Sequence, residues 1–177
     1  GGEQSEVDVV KEISGWNPAL FLYLGDVYEK GSIAELSNWF GPSGSPNVYY
    51  GRLKQVTDTT IGNHEYEGGV APGYFDYWDN VPHYYSVNRH GWHIISLDSN
   101  SAYGQLSPTS AQYQWLQQDL AANTQPCTLA FFHHPRFNIG DEGPSTGVDG
   151  FWKLFAQYGV DLVVNGHDHT YQRYAAL

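Results

Sequence analysis

Four apolar segments of this chain each run straight into a short cluster of glycine, aspartate, asparagine or histidine, and this repetition restricts the fold more than any other feature. Residues 19–24 end in Gly25-Asp26, and residues 57–61 end in Gly62-Asn63-His64-Glu65. Residues 128–132 end in His133-His134-Pro135, and residues 160–164 end in Gly166-His167-Asp168-His169. Short, continuous apolar runs suit strands covered on both faces. Between them lie helical patterns: residues 7–13, and a segment opening at Ser32, where Glu35 stands three residues on as in a capping box. Two more follow, residues 110–121 with Tyr113, Leu116 and Leu120 on one face, and an amphipathic helix carrying Val148, Phe151, Trp152 and Phe155. Residues 84–87 and 92–97 read as paired strands joined by a tight turn over 88–91. Alternating strands and helices predict an α/β layered fold, in which ligand crevices form at the carboxyl ends of the strands.

The polar clusters share one chemistry. Imidazole and carboxylate together are ligands for zinc, iron or manganese. A carboxylate can bridge two metals because its two oxygens can point at different ions, and an asparagine oxygen is a neutral, hard addition. Five of the eight histidines fall in these clusters, while His83, His90 and His93 read as structural or surface residues. In Gly-His-x-His, strand alternation would place both imidazoles on one side of an extended segment. Each cluster alone also reads as an ordinary turn; four of them, in order at strand ends, make coincidence improbable. Such groups predict a dinuclear site whose metals, about 3.5–4 Å apart, clamp a phosphoryl group and lower the pKa of a bound water.

Composition removes competing classes. With 41% hydrophobic and 15% charged residues among 177, the chain can bury a core and is not disordered. A net charge of -11 with only 8 Lys and Arg disfavours a nucleic-acid-binding face, which needs clustered cations. The single cysteine, Cys127, excludes a disulfide framework and a four-cysteine zinc site, and reads as a buried free thiol. No stretch reaches the roughly 20 apolar residues of a membrane span. Few cations, many aromatic residues and a lone cysteine lean toward an extracellular or periplasmic protein. The tyrosine-rich segment 66–85 could stack a base or sugar, but such loops more often simply pack.

Gly25-Asp26, Gly62-Asn63-His64-Glu65, His133-x-Pro135 and Gly166-His167-Asp168-His169, in this order, resemble the motifs of the calcineurin-like metallophosphoesterases. The subgroup with Gly-Asp-x-x-Tyr, the purple acid phosphatases and their bacterial relatives, is the nearest match, and Tyr171 and Arg173 after the last motif also look like that group. The resemblance implies an α-β-β-α sandwich of two mixed sheets with helices outside. It implies that Asp26 bridges two metal ions drawn from Fe, Zn and Mn, and that Asn63, His133 and His167 complete one metal site. His169 would bind the other metal, with Tyr28 as a possible phenolate ligand, although Tyr28 stands two residues after Asp26 and not three. His64 would contact the phosphate or protonate the leaving oxygen. His134 could face the substrate, replace His133 on the metal, or hydrogen-bond the loop.

The family's opening Asp-x-His or Asp-x-Gly motif has no counterpart here. The expectation is therefore a catalytic core spanning 1–177, a fragment truncated at both ends that lacks its first strand and holds its second metal weakly or not at all. The activity implied is hydrolysis of small phosphorylated substrates, phosphomonoesters first, by a metal-activated hydroxide. The alternatives are a phosphodiesterase or nucleotidase with the same site, or a metal-binding but catalytically silent piece.

Overall fold

The computed structural model describes residues 4–42, 49–67, 69–103 and 105–176. They form a mixed α/β structure with two sheets and flanking helices, divided into two compact units, Gly1–Pro82 and His83–Leu177. Among the described residues no helix is long and apolar enough to cross a membrane.

In the first unit, α1 (Gln4–Gly15) leads to β1 (Phe21–Tyr23), which pairs in parallel with β2 (Thr57–Thr59). The two-stranded sheet is thus purely parallel, and Phe21 and Leu22 are only half-buried, so the cover on both faces read from the apolar run 19–24 holds for Tyr23 alone. Register Tyr23↔Thr59 brings both strands to the same edge, and the Thr60 N–H continues the ladder to Tyr23 C=O at 2.9 Å. The two following clusters, Gly25-Asp26 and Gly62-Asn63-His64, therefore leave side by side.

The predicted capping box starts α2 (Ile33–Glu35): Ser32 Oγ accepts from Glu35 N–H at 3.2 Å, and Glu35 Oε2 accepts from Ser32 N–H at 3.0 Å. The helix continues as a π turn, Leu36–Phe40. After a 3₁₀ segment, Tyr50–Val56, and β2, a short α3 (Pro72–Tyr77) begins with proline in its first turn, where the missing N–H costs nothing. Tyr23, Phe40, Tyr77 and Trp78 pack edge-to-face in one buried cluster with Tyr74, Leu36, Ile61 and Tyr66. The tyrosine-rich segment is thus spent on packing, which excludes its buried rings as a platform for a base.

The second unit holds a four-stranded sheet in the order β3-β4-β5-β6, where β3 is Tyr85–Arg89, β4 Trp92–Ser96, β5 Cys127–Phe132 and β6 Leu162–Asn165. The β3–β4 hairpin turns at His90 and Gly91, with φ of 51° and 84°, as a two-residue turn with both central residues left-handed requires. β5 lies between two parallel neighbours, and five of its six residues are buried, in accord with its unbroken apolar sequence. Packed on the sheet are α4 (Ala111–Ala122), N-capped by Ser110, and α5 (Asp149–Tyr158). Leu116 and Leu120 of α4, and Phe151, Leu154 and Phe155 of α5, meet Ile95, Leu97, Ala130 and Phe132. Each such fully buried side chain stabilises the unit by about 1.5–3 kcal/mol. Because β4, β5 and β6 are parallel, the residues following them emerge at one edge.

Candidate metal centre

In the first unit the residues after β1 and β2 are held together by Glu65. This carboxylate is 1% exposed; it accepts the Asp26 N–H through both oxygens at 3.0 Å, Gly62 N–H at 2.7 Å and Tyr23 O–H at 2.7 Å. Burial pushes the Glu65 carboxyl above its usual range, and the hydrogen bonds from Asp26, Tyr23 and Gly62 oppose that shift. Asp26 is left-handed, with φ 56°, and its Oδ1 accepts the His64 N–H at 2.8 Å. A Cβ at position 62 would collide with Asp26 Oδ1, so only glycine lets the second loop approach the carboxylate this closely.

Asn63 Oδ1 is buried and has no hydrogen-bond partner among the described residues. An orphaned buried amide oxygen costs about 1–3 kcal/mol, so it calls for a ligand, and a cation is the natural one for an acceptor without a proton. The ring of the neighbouring His64 is partly exposed, with Nδ1 2.9 Å from Glu29 C=O and 3.2 Å from Glu67 Oε1. The Glu29 carbonyl, followed by the nearby carboxylates, raises the imidazole pKa against the opposing effect of burial. Tyr28 is buried in the aromatic cluster, and its hydroxyl donates to Glu6 Oε1 at 3.4 Å. Burial and Glu6 push the phenol far above its usual range, so the phenolate is not formed unaided.

In the second unit the ends of β5 and β6 bring three imidazoles together. His133 is fully buried, its Nε2 is 3.1 Å from His167 Nδ1, and one ring nitrogen from each of His133, His134 and His167 lies within 4.8 Å of the others. Gly166 N–H to His133 C=O at 3.0 Å and Asn165 Nδ2 to Phe132 C=O at 2.8 Å tie the two strand ends. The extended alternation expected of Gly-His-x-His is not what forms. β6 stops at Asn165 and His167 takes φ 71°, so His167 turns to His133 while His169 is exposed and outside the cluster. Left-handed backbone at a non-glycine residue costs of order 1–3 kcal/mol; Asp26 and His167 are two of the eight described non-glycine residues that adopt it, the others being Asn17, Ala71, Asp79, Asn80, His90 and Gln105.

Several residues outside the expected ligand set are held by partners of their own. Asp168 Oδ2 accepts from Asn138 Nδ2 at 2.8 Å, which holds its carboxyl below the usual range, and the close approach of Gly140 leaves no room for a Cβ there. His93 bridges Asn88 Oδ1 and Asp119 Oδ2, both at 2.7 Å, and His83 lies 3.3 Å from Asp98 Oδ2, as structural histidines would. Cys127 is a half-buried free thiol.

The donor set of each unit fits a divalent or trivalent cation: an orphaned amide oxygen beside a carboxylate in one, converging imidazoles in the other. The calcineurin-like phosphoesterase family matches residues 1–171. A probable purple acid phosphatase of Arabidopsis thaliana is 28% identical across the whole chain, which covers 45% of that protein. A purple acid phosphatase of Glycine max is 37% identical over 52% of the chain and 20% of its own length. The chain thus spans less than half of these relatives. Purple acid phosphatase from yellow lupin seeds shares the fold, with a TM-score of 0.62 over 93% of this chain and 33% of that one, at 15% identity. By motif order, strand-end placement and family match together, the chain belongs to the calcineurin-like phosphoesterases.

Proposed function

We propose that the chain hydrolyses phosphate esters, phosphomonoesters first, at a dinuclear metal centre. The single observation that carries this reading is the buried, unpartnered Asn63 Oδ1, one residue from the His64 whose N–H is fixed on Asp26. The first unit offers Asp26 and Asn63; the second offers His133, His167 and His169. By the family resemblance Asp26 would serve as a ligand to both ions, Asn63, His133 and His167 would complete one set, and His169 would begin the other. A Tyr28 phenolate would join that second set by giving up Glu6. The metals come from Fe, Zn and Mn, which suit mixed imidazole and oxygen donors. When bound, the ions lower the pKa of a coordinated water and offset phosphoryl charge.

The chain's own residues do the rest. His64, partly exposed and with Nδ1 held by Glu29 C=O, presents its other nitrogen to donate a proton to the leaving oxygen or a hydrogen bond to the phosphate. His134 is a second group able to contact the phosphate. The net charge of -11 and 8 Lys and Arg favour a small substrate over a polyanion, and the composition agrees with action outside the cytoplasm. The test is hydrolysis of 4-nitrophenyl phosphate against bis(4-nitrophenyl) phosphate, with Zn(II), Mn(II) or Fe supplied. Faster turnover of the monoester supports the reading, faster turnover of the diester makes the chain a phosphodiesterase, and metal uptake without turnover of either overturns the hydrolase.

A further inference from the structure

We infer that Asn138 is a positioning residue for the metal centre: it clamps the loop after β5 onto Asp168 and so holds the strained turn that carries His167 and His169. The inference rests on the metal-dependent reading above and adds a residue to which that reading gives no role. All the residues concerned belong to the second unit.

The turn needs support of its own. The Asp168 N–H returns to Gly166 C=O at 3.0 Å around His167, whose φ is 71°. A hydrogen bond closed over a single residue of positive φ makes the rare, strained form of γ-turn. Strained backbone of this kind persists only where its surroundings over-determine it. Here it directs the His167 ring to His133, with Nδ1 3.1 Å from His133 Nε2. A relaxed turn would carry the ring elsewhere.

Asn138 supplies the support. It is 8% exposed. Its Nδ2 donates to Asp168 Oδ2 at 2.8 Å and to Gly143 C=O at 3.0 Å. Its Oδ1 accepts Gly140 N–H at 2.9 Å and Gln172 Nε2 at 2.6 Å. Two donor hydrogens and two lone pairs are thereby all used. The backbone partners fix the orientation of the amide, since Gly140 N–H can meet only an oxygen and Gly143 C=O only a donor. Gln172 in turn accepts Ile139 N–H through Oε1 at 3.1 Å and donates to Thr170 Oγ1 at 2.6 Å. Asp168 and Gln172 flank His169 in sequence, so one buried side chain grips the chain before and after that residue.

The loop also comes close to the turn directly. Gly140 passes the Asp168 carboxylate with no room for a Cβ. Glu142 N–H reaches Asp168 Oδ2 at 3.4 Å, and Glu142 Oε2 stands 3.8 Å from His167 Nε2. Movement of the loop is therefore movement beside the His167 ring.

The experiment is calorimetric titration of the intact chain with Zn(II), comparing wild type, Asn138→Ala, Asp168→Ala, the double variant and Leu154→Ala, all under folding conditions. Leu154 lies in the core beneath α5, so its variant loosens the same unit by a cavity and leaves the clamp in place. Affinity should fall about 10–100-fold in Asn138→Ala, the usual loss when a supporting partner of a metal site is removed, and stay at the wild-type value in Leu154→Ala. The double variant should lose less than the product of the two single losses, because the two side chains act as one clamp. Wild-type affinity in Asn138→Ala overturns the inference, as do losses that multiply in the double variant or an equal loss in Leu154→Ala. Should Asn138→Ala not fold, Gly140→Ala displaces Asp168 without removing a hydrogen-bonding group; it should weaken Zn(II) binding too, and unchanged affinity there overturns the inference. Wild type that takes up no Zn(II) overturns the metal-dependent reading as well, whereas failure of the clamp alone leaves phosphate-ester hydrolysis standing.

Discussion

Glu65 receives the Asp26 backbone N–H through both of its carboxylate oxygens, at 3.0 Å each, across 39 residues of sequence. One buried carboxylate thereby sets the position of the residue expected to bridge the metals, and it does so from the loop that carries Asn63 and His64. Glu65→Ala would leave the N–H groups of Asp26 and Gly62 buried without an acceptor. The expected loss is about 2–6 kcal/mol of stability, at about 1–3 kcal/mol for each stranded donor. Chemical denaturation measures it, and an unchanged midpoint would show that the loops are held by something else.

Gly62→Ala tests the same junction by crowding. The new Cβ meets the Asp26 carboxylate and crowds its backbone nitrogen, so either the loop or Asp26 must move. We expect a cost of about 1–3 kcal/mol, the usual range for overpacking, together with weaker metal binding. Gly69→Ser is not an equivalent control because that glycine is left-handed; Gly15→Ala is, since nothing stands near it. If Gly62→Ala and Gly15→Ala behave alike, the close approach has no consequence.

His64→Ala should spare metal binding and lower turnover by about 10²–10⁴-fold. If His64 protonates the leaving oxygen, esters with good leaving groups suffer least; an equal loss on good and poor leaving groups assigns it to phosphate binding. The pH profile carries a second sign. The Glu29 carbonyl raises the His64 pKa above its ordinary value, about 6.5, so the protonated acid persists to higher pH than for a free histidine. The alkaline limb of kcat/KM should therefore fall above that value and be absent from His64→Ala. An alkaline limb unchanged in the variant removes His64 as the acid.

Much of this architecture is legible in the sequence where the controlling partners are near one another. Ser32 and Glu35 announce a capping box three residues apart, and it forms; the turn at His90-Gly91 is legible for the same reason. Strand-end clusters are legible because an apolar run and its polar terminus are contiguous. What the sequence does not display are partners joined only by folding: Glu65 with Asp26, Ser99 with His134, Asn138 with Asp168. Gly-His-x-His reads as an extended pair because period two is the default for a strand; the left-handed turn at His167 breaks that period, and no local residue type signals it. The tyrosine-rich segment is ambiguous in sequence, since the same rings serve a core or a stacking surface until their burial is known.

The most direct measurement of the central claim is metal content and phosphomonoester turnover on the same preparations of wild type, Asp26→Ala and His90→Ala. Asp26 is the carboxylate proposed to serve both ions, whereas His90 sits exposed on a hairpin turn. The account predicts that chelation abolishes wild-type turnover and added metal restores it. It predicts that His90→Ala behaves as wild type, and that Asp26→Ala loses metal and activity together. Wild-type metal stoichiometry in Asp26→Ala, or hydrolysis indifferent to chelation, would contradict it.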